Sequence, residues 1–213
     1  MKVGIIGSGV VGRQLGIGFL RLGHSVKVGT RDVSKLDDWL KEVGEKGSVG
    51  SNSEAAEFGE LIVIATGWAG TENAINISGK ENFAGKVIID VTNPLKHTKG
   101  GPPLLDASPG NSGGEKIQKW LPDSKVVKAF NIINAYIMIS PERDEGDPDL
   151  FICGNEEDAK IQVRDIAKQL GWKNIIDMGD ISEAFWLEAL AMLWIHYGFK
   201  NSSWTHAFKL LKK

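Results

Sequence analysis

The chain has 213 residues, 42% of them apolar and 24% charged, and 25 Lys+Arg against 27 Asp+Glu leave a formal net charge of -2. That length and mixture describe a globular protein built on one core, with at most a small appendage. The near-neutral balance, with no clustered basic excess, excludes nucleic-acid and membrane-surface binding as main functions.

The first predicted strand, Lys2 to Ile6, runs into Gly7-Ser8-Gly9-Val10-Val11-Gly12 and a helical pattern from Val10 to Leu22. A G-x-G-x-x-G run between a strand and a helix is a dinucleotide-binding pattern. Gly7 permits the tight turn, Gly9 lets a pyrophosphate reach the backbone, and Gly12 lets the helix pack closely on the strand. Unpaired N–H groups at the helix start, aided by the helix dipole, meet the anion. No charged segment precedes a long apolar run, so no signal peptide is expected and a cytoplasmic location is. The single cysteine excludes an internal disulfide or a Cys-based zinc site, which suits a reducing compartment.

The second strand, Ser25 to Gly29, decides the dinucleotide. An NAD site places an acid at its end to hold the ribose hydroxyls, whereas an NADP site needs cations and hydroxyls for the 2′-phosphate. Here Thr30 offers a hydrogen bond, Arg31 stacks on adenine and pairs the phosphate, and Lys35 adds charge. Asp32 lies near the acidic position but is equally placed to cap the next helix, with Ser34-x-x-Asp37 a further capping signal. Three phosphate-binding groups against one acid favour NADP.

Helices are predicted over Lys35 to Val43, Ser53 to Phe58, about Gly70 to Ile77, and Glu115 to Leu121. Strands are predicted over Leu61 to Thr66, Val87 to Thr92 and Val126 to Phe130. The alternation gives a Rossmann-type α/β fold, a doubly wound, mainly parallel sheet. Ligands of such a sheet bind outside the carboxyl ends of its strands, which brings in Thr66, Trp68, Asn93 and Asn131. Proline after Asn93 holds that residue extended. Trp68 either walls the nicotinamide or adenine edge or simply packs. Asn131 and Asn134 either line the nicotinamide or acceptor site or serve as turn asparagines. Between Pro94 and Gly114 a long stretch holding Gly100, Gly101, Gly110, Gly113 and Gly114 reads as a mobile loop able to cover the crevice. Lys96 and His97 within it are the nearby candidates for acid–base work.

Residues 1–145 are read as the NADP-binding Rossmann domain and residues 146–213 as a small C-terminal α+β portion carrying dimerisation helices. After the polar excursion from Pro141 to Pro148 come a strand at Leu150 to Cys153, a helix at Glu156 to Leu170, a strand at Asn174 to Met178 and a helix from about Ser182 to Phe199. Cys153 reads as a small core residue. The last helix is apolar nearly all round and needs cover from its own domain or a second subunit. Its most apolar part, Ala184 to Ile195, has Glu188 inside it and is too short to span a bilayer. The four histidines (24, 97, 196, 206) show no metal spacing, no metal site is expected, and His196 reads as a core residue.

Together, Gly7 to Gly12, Gly29-Thr30-Arg31, Val126-Val127-Lys128-Ala129-Phe130-Asn131 and Ile152-Cys153-Gly154-Asn155 resemble the NADPH-dependent reductases of the deazaflavin coenzyme F-420 and their bacterial relatives. The likeness covers nearly the whole chain. The reductase domain of the six-transmembrane metalloreductases is also similar, and at residues 129 to 131 it is closer to this sequence than the archaeal deazaflavin enzymes are. The resemblance implies that Ser8, Gly9, Val10 and Val11 bind the pyrophosphate and that Thr30, Arg31 and Lys35 bind the 2′-phosphate. It also implies that Ala135 gives a backbone contact at the nicotinamide end and that the protein is a homodimer. The activity expected is hydride transfer between NADP(H) and a small-molecule electron acceptor, coenzyme F-420 or a flavin (FMN or FAD, a flavin reductase activity). Two other readings stand beside it: an NADP-dependent dehydrogenase or imine reductase of a small metabolite, and a non-catalytic NADPH-binding module.

Overall fold

A computed structural model describes residues 1–211 of the chain. Strands and helices alternate through β1 (Lys2–Ile6), α1 (Val10–Arg21), β2 (Ser25–Gly29), α2 (Asp37–Val43), β3 (Gly47–Gly50), α3 (Asn52–Phe58), β4 (Leu61–Ile64), α4 (Thr71–Ser78) and β5 (Val87–Asp90). A small antiparallel hairpin of β6 (Leu95–Lys96) and β7 (Leu104–Leu105) leads to α5 (Gly113–Trp120) and β8 (Lys125–Lys128). Then follow α6 (Ala135–Met138), β9 (Asp149–Gly154), α7 (Glu157–Gln169), β10 (Asn174–Asp177) and α8 (Ala184–Asn201). Among the described residues, eight strands form one sheet in the order β10-β9-β8-β5-β4-β1-β2-β3. Neighbours pair in parallel except β8 with β9. The fold is the doubly wound Rossmann-type α/β arrangement that the alternation predicts.

The centre of the sheet explains the apolar runs. β4 (Leu-Ile-Val-Ile) and β5 (Val-Ile-Ile-Asp) are buried along their whole length and feed side chains to both faces. On one face Val63 and Ile89 join Leu15 and Phe19 of α1, Trp39 of α2 and Val163 of α7. On the other, Ile62, Ile64 and Ile88 join Ala55 of α3, Ile75 of α4, Ile117 of α5 and Leu187 and Ala191 of α8. β9 and β10, which belong to the 146–213 portion, extend this same sheet across β8. Among the described residues no helix is long and apolar enough to cross a membrane.

The structure corrects several expectations. β3, with the sequence Gly-Ser-Val-Gly, lacks the apolar run that marks a strand, yet pairs in parallel along β2. The stretch from Pro94 to Gly114 is not one loop: β6 and β7 pair within it, and Gly113 and Gly114 are buried in the first turn of α5. His196 is exposed on α8 and is not a core residue. On α8, Trp186, Leu193 and Tyr197 remain 57%, 59% and 50% exposed on one face, so its own domain covers only part of the helix. Cys153 is fully buried, as expected.

Trp172 anchors the join between the sheet and the C-terminal portion. It is 2% exposed, stands edge-on to Phe130 at 6.2 Å and donates its indole N–H to the Met138 carbonyl at 2.9 Å. Trp172→Ala removes a large buried side chain and is expected to cost about 3–5 kcal/mol. Urea denaturation measures the loss as a lowered midpoint with little change in slope.

Candidate functional site

Two clefts meet along the carboxyl ends of the strands. The first, about 350 Å³, is lined by Gly7, Ser8 and Gly9 of the first turn, by Thr30, Arg31, Asp32 and Lys35 after β2, and by Asn52, Thr66, Asn73 and Ile77. The second, about 290 Å³, is lined by Val11, Thr66, Trp68, Val91, Thr92, Asn93, Leu95 and His97. They share Ala65, Thr66 and Gly67 after β4, so the crevice runs continuously from β2 past β1 and β4 to β5.

The turn at the first cleft is built for close backbone approach. Gly7 has φ +118°, and a Cβ there would lie 2.6 Å from the Ala65 carbonyl oxygen. A Cβ on Gly12 would lie 2.0 Å from the Gly7 oxygen, so Gly12 lets α1 begin directly against the turn. At Gly9 a Cβ would meet nothing within 4 Å, which leaves open space over the backbone where an anion comes in. The start of α1 has no side-chain cap and no acid in its first turn, whereas Ser51 with Glu54 and Ser112 with Glu115 close capping boxes on α3 and α5. The N–H groups opening α1 are therefore left for a ligand. These features fit a pyrophosphate.

At the end of β2, Ser8 Oγ donates to Thr30 Oγ1 at 3.0 Å, tying the turn to the second strand. Arg31 and Lys35 stand exposed at the rim. Asp32 does what a capping acid does: its Oδ1 accepts from the Ser34 backbone N–H at 3.2 Å and from the Ser34 hydroxyl at 2.6 Å. The Ser34 hydroxyl bond, with its backbone counterpart and Lys35 nearby, holds the Asp32 carboxyl below the usual carboxylate range. Asp32 Oδ2 also lies 3.8 Å from Lys35 Nζ, and the rim carries the cations Arg31 and Lys35, groups suited to a phosphate.

The second cleft is more apolar than the first. Trp68 walls it and is also packed, stacking on Trp120 at 5.7 Å with the Lys116 ammonium 5.6 Å above its ring. Asn93 lines the cleft and donates to the Asn131 backbone carbonyl at 2.8 Å, and Asn131 returns the bond to Asn93 Oδ1 at 2.9 Å. Asn131 also reaches the Leu187 carbonyl of α8 at 3.1 Å and is itself buried, so it stands behind Asn93 and lines neither cleft. Phe130, at φ +61°, makes the left-handed turn that brings Asn131 there, a conformation costing about 1–2 kcal/mol for a residue with a side chain.

Ala135 is likewise buried, at the start of α6, with Asn134 capping that helix through Tyr136 N–H at 2.9 Å. Val10 is exposed on the first turn of α1 and Gly12 is buried beneath it. Asn52, which follows the unrecognised strand β3, lines the first cleft with no signal in the sequence, as do Asn73 and Ile77 of α4; Thr92 and the acid–base candidate His97 line the second. Asn52 is 7% exposed, and its Oδ1 has no hydrogen-bond partner among the described residues.

Under the second cleft lies a cluster of three charged side chains, each with no exposed surface: Asp90 at the end of β5, Lys128 at the end of β8 and Glu188 of α8. Lys128 Nζ is 2.7 Å from Asp90 Oδ2, 3.0 Å from Glu188 Oε1, and donates to the Thr92 carbonyl at 2.8 Å. Asp90 Oδ1 accepts from Thr92 N–H at 2.8 Å and Thr92 Oγ1 at 2.7 Å. Glu188 accepts from the Gly113 and Gly114 N–H groups at 3.0 and 3.1 Å, so α8 caps α5. Burial works against the charge on Lys128, but Asp90 and Glu188 outweigh it and hold its ammonium above the ordinary lysine value.

Four comparisons bear on this site. Residues 2–94 match the model of the family described as NADP oxidoreductase, coenzyme F420-dependent. The F420-dependent NADP reductase of Methanocaldococcus jannaschii is 29% identical over 215 residues, covering 95% of each chain. The metalloreductase STEAP3 of Rattus norvegicus is 29% identical over 191 residues, 90% of this chain; the chain spans 36% of that protein's length. A solved structure provisionally named an F420-dependent NADP reductase, from Arthrobacter sp. FB24, shares 36% identity over 100% of both chains with a TM-score of 0.94.

Beside the charge cluster, burial pushes the Cys153 thiol up to about 12. The folded protein is expected not to react with a thiol reagent at pH 8, where the thiolate fraction is negligible. Denaturant should release one reactive thiol per chain, and absorbance of the released chromophore measures both states.

Proposed function

The chain belongs to the family of coenzyme F420-dependent NADP oxidoreductases, and from that premise we propose that it passes a hydride between NADP(H) and a flavin-like acceptor, the deazaflavin F420, FMN or FAD. The observation that carries this reading is the continuity of the two clefts at Ala65–Gly67, one with a cationic rim and the other with flat apolar walls. NADPH, when bound, supplies a hydride at nicotinamide C4. Thr30, Arg31 and Lys35 hold its 2′-phosphate, and Gly7, Ser8, Gly9 and the open start of α1 hold the pyrophosphate. Thr66, Trp68 and Asn93 flank the nicotinamide, with Asn131 fixing the Asn93 amide from behind. Transfer between stacked rings depends on distance and alignment more than on an acid or base, and Trp68, Val91 and Leu95 supply the flat, water-excluding surface. In the same reading two copies associate through the outward face of α8 that carries Trp186, Leu193 and Tyr197.

One observation favours a second reading. His97 lines the acceptor-side cleft, which suits an NADP-dependent reduction of a carbonyl or imine in which a side chain gives the substrate proton.

Two measurements test these assignments. Arg31→Ala is expected to weaken NADPH by tenfold or more, on the order of one lost charge-assisted contact, and NADH by far less; equal losses in a fluorescence titration overturn the 2′-phosphate assignment. NADPH oxidation is then followed with F420, FMN, FAD and a panel of ketones and imines. Turnover with a deazaflavin or flavin that survives His97→Ala supports the proposal. Turnover confined to carbonyl or imine substrates and lost in His97→Ala replaces it with the second reading, and turnover with no acceptor leaves a nucleotide-binding module.

A further inference from the structure

The buried cluster of Asp90, Lys128 and Glu188 has an unbalanced charge. Every group facing the two carboxylates is a donor: Lys128 Nζ, the Thr92 N–H and hydroxyl for Asp90, and Lys128 Nζ with the Gly113 and Gly114 N–H groups for Glu188. Each of the four carboxylate oxygens has at least one N–H donor, the arrangement that two carboxylates call for. Two carboxylates against one ammonium leave one negative charge in excess. The dipole of α5 contributes roughly half a positive charge at its N-terminus, which reduces the excess without cancelling it.

The cluster is wired to the wall of the acceptor-side cleft. Thr92, which lines that cleft, is held by three hydrogen bonds to cluster atoms. Gly113 lies where Glu188, Pro94 and Trp68 converge, so that a Cβ there would lie 2.8 Å from Glu188 Oε1 and 3.3 Å from the Trp68 ring. No solvent reaches the three side chains, so their field is weakly screened.

The oxidised nicotinamide ring carries a positive charge that the reduced ring lacks. We propose that the Asp90–Lys128–Glu188 cluster favours the nicotinamide cation of NADP+ over neutral NADPH at the second cleft and so sets the bound cofactor towards hydride donation. The three residues touch neither substrate nor cofactor and act through their field and through Thr92. This inference rests on the proposal that the nicotinamide occupies the second cleft.

The experiment is a set of equilibrium titrations of the full chain with NADP+, NADPH and 2′,5′-ADP, which has the adenosine end and no nicotinamide. It compares wild type with Glu188→Gln and Asp90→Asn, each checked for a cooperative melt. Removing one negative charge is expected to raise the ratio Kd(NADP+)/Kd(NADPH) by about fivefold or more, with 2′,5′-ADP affinity unchanged. A ratio within twofold of wild type overturns the proposal, as does equal weakening of both nicotinamide forms, which marks a purely structural role. If one variant fails to fold, the other carries the test. If the wild-type chain binds none of the three ligands, the cofactor reading itself fails; if it binds them and the ratio stays fixed, only the cluster's role fails.

Discussion

Lys128 has no exposed surface and yet carries a charge, and that single demand organises half the molecule. An ammonium buried in this way needs carboxylate and carbonyl partners on all sides. Lys128, at the end of β8, draws them from two other elements: Asp90 and Thr92 at the end of β5, and Glu188 on α8. Glu188 passes the constraint on to α5 by accepting from the Gly113 and Gly114 N–H groups. Such a network stabilises little relative to a well-packed apolar core, but removing one member strands the others, at a cost of about 3–5 kcal/mol. It therefore fixes geometry, and what it fixes is the floor of the second cleft.

The two halves of the crevice are made in different ways. The first half is largely local: one turn, one uncapped helix start and the end of the neighbouring strand fall within the first 35 residues, and Asn52, Thr66 and α4 close the far side. The second half is assembled from distant pieces. Thr92 and Asn93 line it, but Asp90, Lys128, Asn131 and Leu187 hold them in place from behind. Phe130 accepts a left-handed backbone in exchange for placing Asn131 in that support.

This division decides what the amino-acid sequence discloses. Gly7, Gly9 and Gly12 are legible because the turn, the close approach and the helix start are short-range necessities. Asp32 was ambiguous between a ribose ligand and a cap, and only the bonds to Ser34 distinguish the two. β3 was missed because an edge strand of Gly-Ser-Val-Gly draws on its neighbour's hydrogen bonds and not on an apolar face. With β3 went Asn52, which sits at its end. Glu188 was visible as a charge inside an apolar helix, but its partners stand 60 and more residues away, and no periodicity points to them. The glycines at 113 and 114 read as loop because glycine gives the same signal whether it frees a backbone or lets a carboxylate approach one.

The antiparallel join of β8 to β9 has a bearing on the order in which the protein is made. α8 comes from beyond that join, and the bond from Gly113 to Glu188 closes 75 residues of chain. Contacts of that span form late, because their loop-closure entropy must be met before any reward arrives. The alternating units through β5 complete their local contacts first, so the glycine turn of the first cleft matures on the emerging chain ahead of the floor that its neighbour cleft requires. Until α8 docks, the first N–H groups of α5 and the apolar surface under Leu187 and Ala191 stand open to water, and this is the interval in which a folding chaperone has most to protect.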